Sequence, residues 1–221
     1  MLKVNEIFET IQGEGVYTGV PSIFLRLQGC PIGCSWCDTK HTWKVEACDE
    51  VNLQNMANKE QDSPTWCNTS ITELVGYFKA NWTAKHIVIT GGEPCIYDLS
   101  EVTSQLEYFG FTCQIETSGT FEIKASDTTW VTVSPKVNMK GGFKVLGSAI
   151  ERANEIKHPV GTEKDIENLK RMLEDHCTRN DVVVALQPIS QKTRATELCI
   201  RHCILNNWRL SIQTHKYLQI A

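Results

Sequence analysis

The chain has 221 residues, enough for one domain with a well-buried core. Its 26 acidic residues outnumber its 22 basic residues, which argues against a nucleic-acid-binding surface, because such surfaces carry excess positive charge. No apolar run reaches the roughly 18 residues of a membrane-spanning helix, and the first residues contain no hydrophobic signal core. We therefore predict a cytoplasmic protein without a membrane partner, with a single domain over residues 1–221.

Short β-branched runs alternate with segments of helical period, a pattern typical of repeated βα units. Two predicted helices begin with capping-box sequences, Ser70 with Glu73 and Thr162 with Asp165. A polar stretch at about 45–69 follows neither period and is interpreted as an insertion. The fold class is α/β, a partial (β/α)6-type parallel barrel with its helices outside. Strands are predicted at 23–28, 86–90, 111–117, 130–134, 156–160, 182–187 and 208–214, and helices at 71–81, 99–109, 146–155, 164–176 and 192–206.

Polar or glycine-rich residues follow six of the predicted strands. Because βα barrels place their reactive groups at the carboxyl ends of the strands, these residues predict a site at that face of the barrel. In chain order the clusters begin with Cys30, Gly91-Gly92-Glu93-Pro94 and Glu116-Thr117-Ser118-Gly119, and continue with Ser134-Pro135-Lys136, Gln187-Pro188 and Gln213-Thr214-His215.

Three of the ten cysteines, Cys30, Cys34 and Cys37, fall within eight residues. This spacing lets one loop bind a [4Fe–4S] cluster through three thiolates and leave one iron open for S-adenosylmethionine. The alternative is a structural zinc site, which needs a fourth ligand such as Asp38, His41 or Cys48. The glycine pair Gly91-Gly92 favours the cluster, because adjacent glycines permit close approach of backbone to a ligand.

A second cysteine pair, Cys199 and Cys203, lies four residues apart on a predicted helix. The pair has a possible metal-binding spacing, but we interpret it as two core positions on the apolar side of that helix.

The cysteine loop and the Gly91-Gly92-Glu93-Pro94 turn resemble the radical S-adenosylmethionine superfamily. Further motifs resemble one family within it, the 7-carboxy-7-deazaguanine synthases, over nearly the whole chain outside 45–69. These motifs are Glu9-Thr10-Ile11-Gln12-Gly13-Glu14-Gly15, Gly19-Val20-Pro21, Arg26-Leu27-Gln28-Gly29-Cys30, Cys37-Asp38-Thr39-Lys40, Ile115-Glu116-Thr117-Ser118-Gly119, Ser134-Pro135-Lys136 and Gln213-Thr214-His215-Lys216-Tyr217.

The resemblance implies conversion of 6-carboxy-5,6,7,8-tetrahydropterin into 7-carboxy-7-deazaguanine with loss of ammonia, in queuosine biosynthesis. It implies a [4Fe–4S] cluster, S-adenosylmethionine and Mg²⁺, the last contacted by the hydroxyl of Thr39; a capping role for that hydroxyl is the alternative. It also implies a flavodoxin or ferredoxin-type reductant and a homodimer. Candidate contacts to S-adenosylmethionine are Trp36, Gly92, Ser118, Ser134, Pro135, Lys136 and Gln187, of which Ser118 and Gln187 are placed mainly by their strand ends.

The pterin candidates rest partly on this resemblance and partly on strand alternation. Ile11, Gln12 and Gly13 would hold the pterin, partly through backbone groups, unless they form only a tight turn rich in glycine. Arg26 alternates with Ile23, Leu25 and Leu27, so it faces the cavity if those three pack on outer helices. There it suits the substrate carboxylate, or alternatively an interior salt bridge with Glu14 or Glu116. The remaining candidates are Thr90, Gln213, His215 and the terminal carboxylate of Ala221, with a buried hydrogen-bond network as the alternative for His215.

Two rival functions use the same motifs. A glycyl-radical activating enzyme shares the cysteine loop but acts on a protein partner. A zinc-binding structural module has no catalytic activity.

Overall fold

The structure is a computed structural model that describes residues 1–220, and its core is one nine-stranded open sheet. The strands are β1 (Leu2–Ile11), β2 (Pro21–Leu27), β3 (Cys67–Thr69), β4 (His86–Gly91), β5 (Thr112–Thr117), β6 (Trp130–Val133), β7 (Glu155–Val160), β8 (Val183–Pro188) and β9 (Arg209–Leu210). Their order is β3-β1-β2-β4-β5-β6-β7-β8-β9. From β2 to β9 all neighbours are parallel, while β1 is antiparallel to β2 and to β3. The predicted α/β fold with a partial parallel barrel is confirmed.

The helices are α1 (Leu53–Ala57), α2 (Ile71–Asn81), α3 (Ser100–Tyr108), α4 (Gly147–Arg152), α5 (Glu163–Asp175), α6 (Thr193–Asn206) and α7 (Thr214–Leu218). Helices α3 to α6 lie in the connections between parallel strands, whereas α1 and α2 flank β3 and α7 follows β9. Both capping boxes form as predicted: Ser70 N donates to Glu73 at 2.8 Å, and Thr162 N donates to Asp165 at 2.9 Å. No helix among residues 1–220 has both the length and the apolar character that crossing a bilayer requires.

The sequence prediction was wrong at both ends of the chain. The ten-residue strand β1 was missed, because its sequence, LKVNEIFETI, does not alternate strictly between apolar and polar residues. The predicted strand 208–214 ends at Leu210, and Thr214 already begins α7. The backbone N–H of Thr214 donates to the carbonyl of Gly13, so a tertiary contact replaces the strand ladder there. The predicted helix 146–155 is shortened to α4.

Apolar side chains on the convex side of the sheet form the core. On β2, Ile23, Leu25 and Leu27 are fully buried against α2 and α3, in one hydrophobic cluster that also includes β4 and β5. A second cluster joins β6, β7 and β8 to α4, α5 and α6, and Cys199 and Cys203 belong to it as predicted. Because side chains alternate along a strand, the polar residues of the same strands point to the concave side.

The segment 45–69 is partly regular rather than wholly irregular. It contains α1 and β3, and β3 extends the sheet beyond β1. Lys59 fixes the segment, since its ammonium donates to the backbone carbonyls of Asn5, Ser63 and Thr65 at 2.8, 3.1 and 2.6 Å. The side chain of Gln28 donates to the carbonyl of Pro64, within the segment, at 3.3 Å. These bonds anchor the segment to β1 and to the residues just before Cys30.

Candidate active site

A cavity of about 420 Å³ opens at the carboxyl ends of the parallel strands. This volume lies in the range of small-molecule sites. The cavity contains residues from both ends of the chain and from every strand end that the sequence marked as polar. Of the candidate residues within 1–220, all except Pro135 line it: Ile11, Gln12, Gly13, Arg26, Cys30, Cys34, Trp36, Cys37, Thr39, Thr90, Gly92, Ser118, Ser134, Lys136, Gln187, Gln213 and His215.

The three clustered cysteines line this cavity as free thiols on the loop after β2. The loop is shaped by backbone contacts: Cys30 N donates to Trp43 O at 3.0 Å, and Cys37 N donates to Cys34 O at 3.2 Å. Gly33, between the thiols, has φ +72°, a conformation that favours glycine. Burial raises the pKa of Cys30 to about 11. Three thiols on one loop at the edge of a cavity fit a cluster that needs three thiolates.

The glycine pair after β4 packs directly on this loop. A Cβ on Gly92 would overlap the carbonyl oxygen of Gly29 and would lie 2.8 Å from Cβ of Cys30. The next residue, Glu93, is buried, and its backbone N–H donates to Gly29 O at 2.9 Å. Its carboxylate accepts from Thr117 Oγ1 at 2.6 Å and from Ser118 N at 2.9 Å. Glu93 therefore connects the cysteine loop to the carboxyl end of β5.

Two of the three alternative zinc ligands do not join the three thiols. Cys48 is exposed on a short 3-10 turn, and His41 lies 4.0 Å from Asp62; neither of them lines the cavity. Asp38 lines the cavity with the thiols, so it is the one fourth ligand of the three that the site offers to a zinc ion.

Thr39 lies directly after the cysteine loop, before a 3-10 turn at Lys40–Thr42. Its hydroxyl makes no capping hydrogen bond to that turn, which removes the capping interpretation. Instead the hydroxyl lies 3.6 Å from Sγ of Cys37 and lines the cavity. A hydroxyl in this position has the oxygen chemistry that Mg²⁺ prefers.

Arg26 faces the cavity from β2, as the alternation predicted. Its ion-pair partner was predicted incorrectly, because the guanidinium pairs with Glu6 on the neighbouring strand β1 rather than with Glu14 or Glu116. The guanidinium also lies 6.0 Å from the ring of Phe8. One carboxylate leaves donors of the planar guanidinium available, so a second carboxylate from a ligand can be bound.

Glu14 and Glu116 instead share one buried lysine, Lys157 on β7. The ammonium lies 2.7 Å from Glu14 Oε2 and 2.8 Å from Glu116 Oε2. Gln213 donates to the other oxygen of Glu14 at 2.8 Å, and Gln114 donates to Glu116 at 3.0 Å. The floor of the cavity is therefore a hydrogen-bonded polar network.

Glu14 and Glu116 share the single ammonium of Lys157, and their pKa values shift in opposite directions. Burial opposes ionisation of Glu14, but Lys157 and two hydrogen bonds outweigh it and lower its pKa to about 2. Burial raises the pKa of Glu116 to about 7, an effect that Lys157 only partly offsets and that the charge of Glu14 reinforces. Burial disfavours the charged form of Lys157, but its two carboxylate partners prevail and raise its pKa. Glu116 is thus the member of the network that can hold a proton near neutral pH.

The candidate S-adenosylmethionine residues come from several strand ends and from the cysteine loop. Lys136 donates to Ser134 Oγ at 2.7 Å, after β6. Ser118 Oγ lies 2.8 Å from Thr120 Oγ1, after β5. Gln187 is the next-to-last residue of β8 and accepts from Ser211 Oγ at 3.1 Å. Trp36 is 49% exposed at the mouth of the cavity, and Pro135 is buried outside the lining.

The candidate pterin residues come together around Gly13. The carbonyl of Gly13 accepts from both the backbone N–H and the hydroxyl of Thr214, each at 2.9 Å, which places His215 against Gly13. The side chain of Gln12 is buried, accepts from Glu14 N and donates to Gln114. Ile11 and Thr90 also line the cavity, while Ala221 lies outside the described residues.

Lys157 was missed by the sequence analysis, although a signal existed. Within the predicted strand 156–160, Lys157 is the one residue of fixed positive charge. Side-chain alternation puts Ile156 on the core face of the sheet and Lys157, like Pro159, on the concave face. Glu14 and Glu116 appeared in the sequence analysis as motif residues and as possible partners of Arg26, Glu116 also as a strand-end residue, but not as partners of a lysine. Other lining residues were given no role there: Phe8, Phe24, Ile32, Trp43, Pro159, Ile189, Ser190 and Lys216.

Comparison with known proteins agrees with this geometry. A family model described as a 4Fe-4S single cluster domain matches residues 11–132, which include the cysteine loop. The chain is 58% identical to 7-carboxy-7-deazaguanine synthase of Escherichia coli K12, covering 99% of this chain and 98% of that protein, and 50% identical to that of Buchnera aphidicola, covering 98% of both.

A solved structure, "Crystal structure of QueE from Escherichia coli", superposes with a TM-score of 0.94 at 56% identity. The superposition covers 96% of this chain and 93% of the Escherichia coli chain. With these similarities over nearly the full length, and with three cysteines on one loop beside a polar cavity, the chain belongs to the 7-carboxy-7-deazaguanine synthase family.

Proposed function

We propose that this protein is a radical S-adenosylmethionine enzyme that converts 6-carboxy-5,6,7,8-tetrahydropterin into 7-carboxy-7-deazaguanine with loss of ammonia, a lyase reaction of queuosine biosynthesis. The observation that carries this proposal is the single cavity that contains the three loop cysteines, Arg26 and the Glu14–Lys157–Glu116 network. When bound, a [4Fe–4S] cluster and S-adenosylmethionine supply the radical chemistry, and the protein positions and shields them.

Cys30, Cys34 and Cys37 would hold the cluster. Ser134, Lys136, Gly92, Ser118, Trp36 and Gln187 are the proposed contacts to S-adenosylmethionine, and Pro135 supports Ser134 and Lys136 from behind the lining. Arg26 would bind the carboxylate of the pterin, since its guanidinium faces the cavity and matches a carboxylate in two-point geometry.

The floor of the cavity would bind the polar ring of the pterin. The residues proposed to contact the ring line the same cavity as Glu14: Ile11, Gly13, Thr90, Gln213 and His215. Gln12 holds the turn itself, because its side chain accepts from Glu14 N. The ring carries hydrogen-bond donors, and the buried carboxylates of Glu14 and Glu116 are acceptors that can orient it.

Thr39 would contribute its hydroxyl to a Mg²⁺ ion that also contacts the substrate. The support is the position of this hydroxyl at the cavity wall without a capping role. Hard divalent cations take oxygen ligands and are often completed by substrate and water. Loss of stimulation by Mg²⁺ in Thr39→Val, but not in Thr42→Val three residues later, would support the assignment.

The chain would work as one cytoplasmic domain that includes the segment 45–69, and as a homodimer reduced by a flavodoxin or ferredoxin-type protein. A homodimer is testable by sedimentation of the purified holoenzyme. Neither a nucleic acid nor a membrane is proposed as a partner.

The proposed function is tested with anaerobically reconstituted protein, S-adenosylmethionine, dithionite, Mg²⁺ and the carboxytetrahydropterin. We expect the deazaguanine product to form, and mass spectrometry detects it. Cleavage of S-adenosylmethionine without that product would contradict the substrate assignment while leaving the superfamily intact.

The cluster ligands are tested separately by Cys34→Ala. This variant should lose iron, acid-labile sulfide and turnover together, because one thiolate ligand is removed. Cys48→Ala is the matched control, since Cys48 is exposed and does not line the cavity. Full cluster content in Cys34→Ala would exclude the loop as the cluster site.

A further inference from the structure

The loop between β6 and α4 covers the outside of the cysteine loop. We call residues 138–144, Asn-Met-Lys-Gly-Gly-Phe-Lys, the lysine loop. Gly141 N donates to the carbonyl of Ile32 at 2.9 Å. A Cβ on Gly33 would lie 3.2 Å from Cβ of Lys140, and one on Gly141 would overlap the carbonyl oxygen of Pro31. The lysine loop therefore touches the backbone between the first two cysteines, Cys30 and Cys34.

The lysine loop is largely exposed and carries positive charge. Lys140 and Lys144 are both exposed, and Phe143 between them is 37% exposed. Beside the loop lies a groove of about 520 Å³, lined on its other side by Arg171 and Asp175 of α5 and by the following His176. Within residues 1–220, Lys140, Lys144 and Arg171 have no ion-pair partner among the observed salt bridges.

This local charge runs against the charge of the whole chain. The protein has a formal net charge of −4, whereas Lys144 and Arg171 line the groove with a single acid, Asp175, and Lys140 is exposed on the same loop. A positive patch on an acidic protein attracts and orients an acidic partner at long range. The ring of Phe143 packs on Phe121 at 5.1 Å between centroids and leaves part of its surface exposed, and aromatic residues are enriched at protein interfaces.

We infer that the lysine loop, with Arg171 beside it, is the docking surface for an acidic one-electron carrier protein that reduces the cluster. This inference rests on the proposed function, because it requires a cluster that must be reduced from outside. One electron passes from the reduced carrier, which becomes oxidised by one electron, to the group held by Cys30, Cys34 and Cys37. The lysine loop is suited to this role because it is exposed on one side and touches the cysteine loop on the other.

The test measures binding of a purified bacterial flavodoxin, and separately of a plant-type ferredoxin, to reconstituted holoenzyme by biolayer interferometry. The variant is the double charge reversal Lys140→Glu with Lys144→Glu. We expect its Kd for either carrier to rise at least about tenfold at low ionic strength, and its salt dependence to become shallower. A rise for only one of the two carriers would identify which type uses the surface.

The matched control is Lys79→Glu with Lys85→Glu. It makes the same change in net charge on exposed residues at the amino ends of the strands, away from the cysteine loop. Its Kd should equal that of the unmodified protein. If the reversal variant loses its visible cluster spectrum, Lys140→Gln with Lys144→Gln replaces it, with an expected rise of about threefold or more.

Turnover with dithionite separates this inference from the proposed function. Dithionite needs no docking surface, so the reversal variant should retain the unmodified rate with it. Failure of the unmodified protein with dithionite would contradict the proposed function. An unchanged Kd for both carriers, with normal dithionite turnover, would overturn the docking surface. If the Kd for both carriers is unchanged and the reversal variant no longer sediments as a dimer, the docking surface is also overturned, and the lysine loop is assigned to the contact between two copies of the chain.

Discussion

The ammonium of Lys157 on β7 lies 2.8 Å from the carboxylate of Glu116 on β5, with β6 between the two strands. The same ammonium lies 2.7 Å from Glu14, which follows β1. Three elements distant in sequence thus meet in one charged network on the floor of the cavity. This network is both an element of the fold and a part of the candidate site.

Removal of Lys157 should destabilise the protein severely. Lys157→Met would leave two buried carboxylates without their cation, and loss of one member of a buried ion pair costs about 3–5 kcal/mol. Urea unfolding monitored by circular dichroism measures the change. Lys164→Met, on an exposed position of α5, is the control and should change the free energy of unfolding by less than about 0.5 kcal/mol. A similarly small change in Lys157→Met would show that the network contributes little.

Glu116 should make the protein less stable as the pH rises toward neutrality. Its pKa is raised from 4.5 to about 7 in the folded protein, so the folded state binds more protons than the unfolded state between these values. Stability from this group is therefore complete below about pH 4.5 and is lost as the pH rises through 7. Glu116→Gln cannot titrate, and it should abolish this part of the pH dependence in urea unfolding between pH 5 and about pH 8.

Glu14 should have the opposite effect in acid. Its pKa is lowered from 4.5 to about 2, so its contribution is present above pH 4.5 and is lost as the pH falls through about 2. In Glu14→Gln the loss of stability between about pH 4.5 and 2 should be smaller than in the unmodified protein. An identical acid profile in both proteins would contradict the ion pair of Glu14 with Lys157.

Arg26 should contribute to substrate affinity rather than to cluster assembly. Arg26→Ala removes charge-assisted hydrogen bonds worth about 1.5–3 kcal/mol, so the KM for the pterin should rise about tenfold to about 150-fold. The visible spectrum of the cluster should not change. Glu6→Gln separates the two roles of the guanidinium, because it removes the internal partner but keeps Arg26. An unchanged KM in Arg26→Ala would return Arg26 to a purely structural pairing with Glu6.

A single methyl group at Gly92 should disrupt the cysteine loop. Gly92→Ala would force a Cβ into the carbonyl of Gly29 and within 2.8 Å of Cys30, so we expect loss of cluster binding, measured as iron content. Gly76→Ala is the matched control, because Gly76 lies in α2 with no atom within 4 Å of an added Cβ. Alanine should there be neutral or stabilising by up to about 1 kcal/mol. Normal iron content in Gly92→Ala would contradict the close packing of the two loops.

Short-range features could be read from the sequence because they depend on neighbouring residues. The cysteine spacing, the glycine pair at Gly91-Gly92 and the capping box of Ser70 with Glu73 are each contained in a few residues. The alternation of β2 placed Arg26 in the cavity, because successive side chains of a strand point to opposite faces. Strand ends then located the cavity, since parallel strands bring their carboxyl ends to one edge of the sheet.

The tertiary structure decided which charges are partners. Arg26 pairs with Glu6 because β1 lies antiparallel beside β2, and that strand was not predicted. Glu14 and Glu116 contact Lys157 only because the sheet is curved. The curvature brings residues that are far apart in the chain to the floor of the same cavity. The sequence by itself determined the local chemistry of the cysteine loop, which is a matter of bonded neighbours. Pairing across the sheet depends on strand order and curvature, and these arise only when the whole chain has folded.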